Sequence, residues 1–164
     1  LWRRSGRAPQ ALVGIGFAAQ GEFHGAPYQR MCFDPGFDWL FEGVSETLFG
    51  DYGFSGNGAA GFELDHVDQR IGSPQDHVLL ARSAGDNRAF MLVPEEQLTH
   101  LTNLTGGPEE DAKHADLIYF DLPGGGSVFS VGSITFCGSL PWNGFDNDVS
   151  RLLGNYLHRK LTGS

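Results

Sequence analysis

Cysteine is scarce: only Cys32 and Cys137 occur in 164 residues. They stand far apart, without the short pair spacing of a zinc site or redox motif and without the density of a disulfide scaffold. Both thiols are read as reduced and mostly buried. Positive charge is also short. Eleven Lys and Arg stand against twenty Asp and Glu, giving a formal net charge of −9 and a pI of about 4.9. That is the opposite of the basic footprint that phosphate-backbone binding requires, so no nucleic acid partner is expected. The local excess at Arg3, Arg4, Arg7 and Arg30 reads as a solvated or domain-facing edge. No apolar run approaches the roughly 20 residues of a membrane span, and no signal peptide is visible. The expected setting is cytoplasmic, with no membrane partner. The chain opens at Leu1 rather than Met, which leaves room for a lost targeting segment or an upstream domain.

What is present is a globular composition. Hydrophobic residues make up 40%, charged residues 19% and aromatics 12%, values that suit neither a disordered nor a fibrous chain. The length suits one domain, 1–164. Glycine is abundant, at 24 residues, without a collagen-like period. Residues 11–19 form a short apolar run read as a first core strand, and 21–32 read as a surface loop. Asp34 before Pro35 predicts a capped short helix with Phe37, Leu40 and Phe41 on one face, stopped by Gly43. Gly50, Gly53, Gly56, Gly58 and Gly61 make 50–61 a long shaped loop. Residues 62–67 alternate as a strand and 77–81 form another. The segment 88–104 is ambiguous, with strand character at 90–93 and a helix start at Pro94.

The C-terminal third is clearest. Residues 115–121 and 127–133 flank Gly124, Gly125 and Gly126 as a β-hairpin. After a polar aromatic loop, Asp146 or Asn147 caps an amphipathic helix carrying Val149, Leu152, Leu153, Tyr156 and Leu157, with His158, Arg159 and Lys160 in its last turn. Short strands mixed with helices point to a three-layer α/β arrangement, with an α+β sheet as the fallback.

Chemistry-bearing constellations are few. Gly14, Gly16 and Ala19, and again Gly56, Gly58 and Gly61, approximate a dinucleotide fingerprint, but neither set opens a helix, so neither predicts nucleotide binding. Glu63, Asp65 and His66 gather beside the glycine-rich loop, with Asp68 nearby. In a strand, Glu63 and Asp65 share a face and His66 points away. Either this is a solvated edge strand, or Glu63 faces a pocket that the glycines, Gly58 among them, shape by close backbone approach. His24, His77, His100, His114 and His158 are scattered, and no metal ligand set is read among them. Cys137, between a strand and the last helix, occupies a possible nucleophile position without a partner histidine. Asn103, Leu104 and Thr105 form a sequon that matters only in a secretory setting.

An ordered series of motifs carries a resemblance that runs from end to end. It comprises Leu1-Trp2-Arg3, then Gly6-Arg7-Ala8-Pro9-Gln10 leading into Leu12-Val13-Gly14-Ile15-Gly16-Phe17, then Phe41-Glu42-Gly43-Val44. It continues with Gly58-Ala59-Ala60-Gly61-Phe62-Glu63-Leu64-Asp65, Val128-Phe129-Ser130-Val131-Gly132-Ser133-Ile134 and Asn147-Asp148-Val149-Ser150-Arg151. The chain resembles the C-terminal domain of the N,N-dimethylformamidase large (β) subunit family. The resemblance implies a three-layer, Rossmann-like sheet of the class I glutamine-amidotransferase-like, ThuA-like type, with the C-terminal hairpin and helix, in a fragment of a longer chain. It also implies hydrolysis of a small amide to an amine and formate, with a mononuclear iron held by two tyrosines and a glutamate. No motif lays those tyrosines onto Tyr28, Tyr52, Tyr119 or Tyr156, so the iron ligands are expected upstream. Glu63 is the expected catalytic-pocket carboxylate, with Gly58, Asp65 and His66 as substrate-pocket residues. Expected partners are the upstream domains, a small subunit, further copies of the chain and a small amide substrate, with exposed apolar area where a neighbour docks. The alternative is a non-catalytic binding or assembly domain with a decayed pocket.

Overall fold

The computed structural model describes residues 2–21, 24–101 and 109–163; the sequon at Asn103 lies outside them. In chain order the elements are α1 (Gln10–Val13), β1 (Gly16–Gln20), β2 (Tyr28–Arg30), β3 (Leu48–Phe49), β4 (Glu63–His66), β5 (Val78–Ser83), β6 (Met91–Leu92), α2 (Pro94–Leu101), β7 (Asp116–Asp121), β8 (Ser127–Ser130), α3 (Thr135–Ser139) and α4 (Asp148–Thr162). Short 3₁₀ turns fill several of the connections.

Two sheets result, ordered β4-β1-β6 and β3-β2-β5-β7-β8. Every strand pairing among the described residues is antiparallel. The chain is thus a mixed α and β structure with antiparallel sheets and a C-terminal helix, and the described strands form no parallel pair of the kind a three-layer, Rossmann-like sheet contains. The reason lies in the connections. A parallel pair needs a crossover of a dozen or more residues, usually a helix. Here the eight-residue α2 lies between strands of different sheets, β6 and β7, so among the described residues no strand-helix-strand unit closes within one sheet.

The core explains which strands sit centrally. Strand β7 is buried at every position but its last. Leu117 and Tyr119 join the main cluster with Tyr28, Leu40, Phe49, Leu64, Leu80 and Leu152, while Ile118 and Phe120 pack with Ile15 on the opposite face. A strand covered on both sides reads as a continuous apolar run, as 117–120 does. Its hairpin partner β8 pairs in regular register from Ile118↔Ser130 to Asp121↔Ser127, as the glycine turn predicts. Helix α4 also follows the sequence reading. Asn147 caps it by accepting from the Ser150 amide at 2.9 Å, Gly163 ends it in left-handed conformation, and Val149 and Leu152 are buried. Leu157, expected in the apolar stripe, is exposed.

The N-terminal half departs more. The run 11–19 is not one strand: residues 10–13 form a helical turn that Gly14 ends in left-handed conformation (φ +80°), and only Gly16 onward is extended. Pairing of β1 with β4 runs Gly16↔His66, Phe17↔Asp65, Ala19↔Leu64 and Gln20↔Glu63, with a bulge between Phe17 and Ala19. The 21–32 segment contains β2, because Tyr28 is fully buried, its ring stacked on Phe49 at 5.8 Å and its hydroxyl donating to the Val131 carbonyl. The helix expected after Asp34 is a single 3₁₀ turn, Pro35–Phe37, whose cap is the expected one: Asp34 accepts from the Gly36 amide at 2.8 Å. Cys32 is buried, but Cys137 is exposed on α3, correcting the expectation of burial for the second thiol.

The sheets meet at Asp116, a fully buried carboxylate. Arg82 of β5 donates to it from Nε at 2.7 Å, the Val67 amide beyond β4 donates at 3.1 Å, and His114 Nε2 lies at 3.4 Å. Burial raises the Asp116 pKa, but the hydrogen bonds and charges of His114 and Arg82 outweigh it and hold the group at about 2. Removing one member of a buried, hydrogen-bonded charge pair is strongly destabilising. Asp116→Ala is expected to cost about 3 kcal/mol in a urea unfolding titration at pH 7, and a loss below about 0.5 kcal/mol would contradict its tying role.

Candidate functional site

Alternation along β4 decides where its polar side chains go. Leu64 and His66 are buried, while Glu63 and Asp65 are half-buried, as a two-residue period on a sheet covered on one face requires. Glu63 and Asp65 border a cleft of about 270 Å³ together with Trp2, Arg3, Pro9, Gln10, Val13, Ile15 and Phe17. Two of the four expected residues are therefore brought together.

Gly58 is not with them. It is buried against Gly25, and a Cβ there would overlap the Gly25 carbonyl group. The loop 50–61 closes on 24–26 through Gly25 N to Gly56 O at 2.6 Å and a two-way bridge between Ala26 and Ala60. Gly58 and Gly61 thus serve backbone packing against residues 24–26, and the same loop sends Tyr52 and Phe54 to a different cleft of about 520 Å³ beside Trp142, Asp146 and Asp148. His66 lies on the opposite side of β4, its ring 4.9 Å from that of His114.

The electrostatics of the two faces differ. Burial, reinforced by the negative charge of Glu63, pushes the Asp65 carboxyl up to about 7. Its Oδ1 is buried and without a hydrogen-bond partner. On the other face, burial and then the charge of His114 lower the His66 pKa against the opposing pull of Glu96, Asp116 and Asp68.

Gln10 was not anticipated from the sequence. It is fully buried, and neither Oε1 nor Nε2 has a partner. Its carboxamide occupies the space above Gly16, where a Cβ would come within 2.5–2.6 Å of it. A lone polar residue between Pro9 and an apolar run, followed six positions later by glycine, was the available signal. Arg3 of the same wall donates to Glu96 at 2.6 Å.

Residues 1–148 match the family model described as N,N-dimethylformamidase beta subunit-like, C-terminal. The chain belongs to that family. It is similar to the N,N-dimethylformamidase beta subunit of Alcaligenes sp, 34% identical over 161 residues that make up 96% of this chain and 21% of the relative. It is similarly related to that of Paracoccus aminophilus, 35% identical over 159 residues, 95% of this chain and 21% of the relative. The chain thus spans about a fifth of the length of these curated relatives.

The family resemblance implies an iron held by two tyrosines and a glutamate, and the side chains of this chain do not fit that set. The Tyr28 hydroxyl is spent inside the core on Val131. Tyr52 bonds to Asn147 at 3.2 Å, Tyr119 to Asp121 at 2.5 Å and Tyr156 to Ser127 at 3.3 Å. None of these tyrosines lines the Glu63 cleft. Among the described residues no group of three His, Cys, Asp or Glu is placed to hold a metal ion, and no helix is long and apolar enough to cross a membrane.

Two outcomes follow from this geometry. Gly58→Ala is expected to destabilise the protein by about 1–3 kcal/mol through overpacking, read as a lowered urea midpoint; an unchanged midpoint would contradict the close packing of Gly58 on Gly25. For Asp65, the folded protein between about pH 4 and pH 7 keeps a proton that the unfolded chain has released. Its stabilising contribution is full below the ordinary carboxylate value and is lost as pH rises through about 7. His66 acts in the opposite sense, because acidification protonates the unfolded chain before the fold. Asp65→Asn should therefore gain stability relative to the unsubstituted protein at pH 8 and show no such gain at pH 5, compared by unfolding at both pH values.

Proposed function

We propose that this chain is the C-terminal domain of a dimethylformamidase-like hydrolase that cleaves the C–N bond of a small amide, and that it supplies a wall of the substrate pocket and contacts to the rest of the enzyme. The observation that carries this reading is collinear similarity over 95–96% of the chain to proteins named N,N-dimethylformamidase beta subunit. The Glu63 and Asp65 carboxylates on one cleft support a pocket role, since amide hydrolysis needs groups that move protons at neutral pH. Glu63 is assigned to orient the substrate or a water, and Asp65 lines the pocket beside it. Because the tyrosine hydroxyls here are engaged elsewhere, the reading assigns the iron ligands to residues outside this chain. Other regions of the same polypeptide, a small subunit and further copies of the chain are its proposed partners. A cytoplasmic setting accords with two free thiols.

A second reading, a non-catalytic assembly domain, draws on a different observation. Trp2 and Leu12 are 66% and 76% exposed beside an apolar cleft of about 530 Å³, and Phe54 is exposed at the Trp142 cleft. Large exposed apolar side chains clustered in this way mark interaction surfaces. One variant separates the readings. In the full-length protein, Glu63→Gln is expected to lower kcat/KM for dimethylformamide by about 10²-fold or more, with the unfolding transition unchanged. Activity within about twofold of the unsubstituted enzyme would favour the assembly domain.

A further inference from the structure

We propose that the cleft bounded by Gln10, Glu63 and Asp65 is a subsite for a small N-alkylated ammonium ion, the amine half that amide hydrolysis releases. This rests on the amide-hydrolase reading above. Three features of the cleft select that ligand. Glu63 and Asp65 present two carboxyl groups on one face, and among the described residues neither is ion-paired; the nearby guanidinium of Arg3 is engaged by Glu96. A cation is therefore attracted and an anion such as formate repelled.

The second feature is Gln10. A fully buried carboxamide with both polar atoms unpartnered is costly for the fold, and Gly16 leaves the room that carboxamide occupies. Its Oε1 adds a neutral acceptor beside the two carboxyl groups. The third feature is the wall. Trp2, Pro9, Val13, Ile15 and Phe17 are apolar, and about 270 Å³ suits a ligand of a few heavy atoms. A dimethylammonium ion matches all three: its two N–H groups donate to Glu63 and Asp65 or Gln10, and its methyls rest on the apolar wall. Gln10 lines the cleft but is fully buried, so the ion contacts its Oε1 only where the lining side chains shift.

The test uses the full-length protein and titrates dimethylammonium chloride, with binding followed by ligand-observed NMR or calorimetry and no turnover required. Saturable binding is expected, weakened at least tenfold in both Asp65→Asn and Gln10→Met. Tetramethylammonium, which has no N–H, should bind the unsubstituted protein at least tenfold more weakly, and sodium formate should not compete. Gln10→Met removes the unpartnered polar atoms at similar volume, so an unfolding midpoint at or above that of the unsubstituted protein is expected and shows that lost binding is not lost folding. Absence of saturable binding, or unchanged affinity in the two variants, overturns the proposal. The two readings fail separately. Dimethylformamide turnover without dimethylammonium binding removes the subsite and leaves the hydrolase. Variant-sensitive dimethylammonium binding by a protein that hydrolyses no amide keeps the subsite and removes the hydrolase.

Discussion

The rest of the structure depends on one buried charge. Asp116 stands at the first position of the strand that both core clusters share, and it receives Arg82 from the adjacent strand and the Val67 amide from the other sheet. A buried carboxylate is tolerated only when donors surround it, so its presence dictates where β5 and the end of β4 must lie. The register of β5 against β7, Arg82↔Asp116 at one end, follows from it. So does the position of the Glu63 and Asp65 face, since β4 runs directly into the residue whose amide Asp116 holds.

The C-terminal hairpin and α4 were legible because each is specified locally, by a glycine turn between apolar runs and by an Asn147 cap before a helical period. Strand β2 was not. It is three residues long, it lies just beyond Pro27, and its identity as a strand depends on the Tyr28 ring finding Phe49 and Phe136 across the core. The antiparallel order of the sheets was hidden for a similar reason: alternating strands and helices resemble a parallel layout until it is known which strands pair. The pairing of Glu63 with Asp65 on one face could be read from the period of two. The burial of Gln10 could not, because it depends on α1 folding back over Gly16, and a local pattern that breaks a burial rule is most informative after the fold is known.

The surface combines two kinds of opportunity. The polar cleft at β4 and the apolar cleft at the N-terminal segment share Trp2 and Pro9, so a partner seated on the second would cover the rim of the first. Under the proposed reading, pocket wall and docking surface are one continuous feature. A role in chemistry and a role in assembly need not compete, since a neighbour that shields this rim also lowers the local dielectric around the carboxyl pair and strengthens their interactions with a bound cation.

The bulge between Phe17 and Ala19 has a consequence for how this cleft tolerates change. Because one extra residue shifts the alternation of β1, Phe17 and Gln20 stand opposite Asp65 and Glu63, while Ala18 and Ala19 are both buried. The wall facing the carboxyl pair is therefore set by strand length as much as by side-chain identity. A family member one residue shorter in this strand would keep the ladder and the two acids yet set them against a different neighbour. Insertions and deletions in β1, ordinarily the least accepted kind of change in a sheet, thus change which side chain stands opposite Glu63 and Asp65.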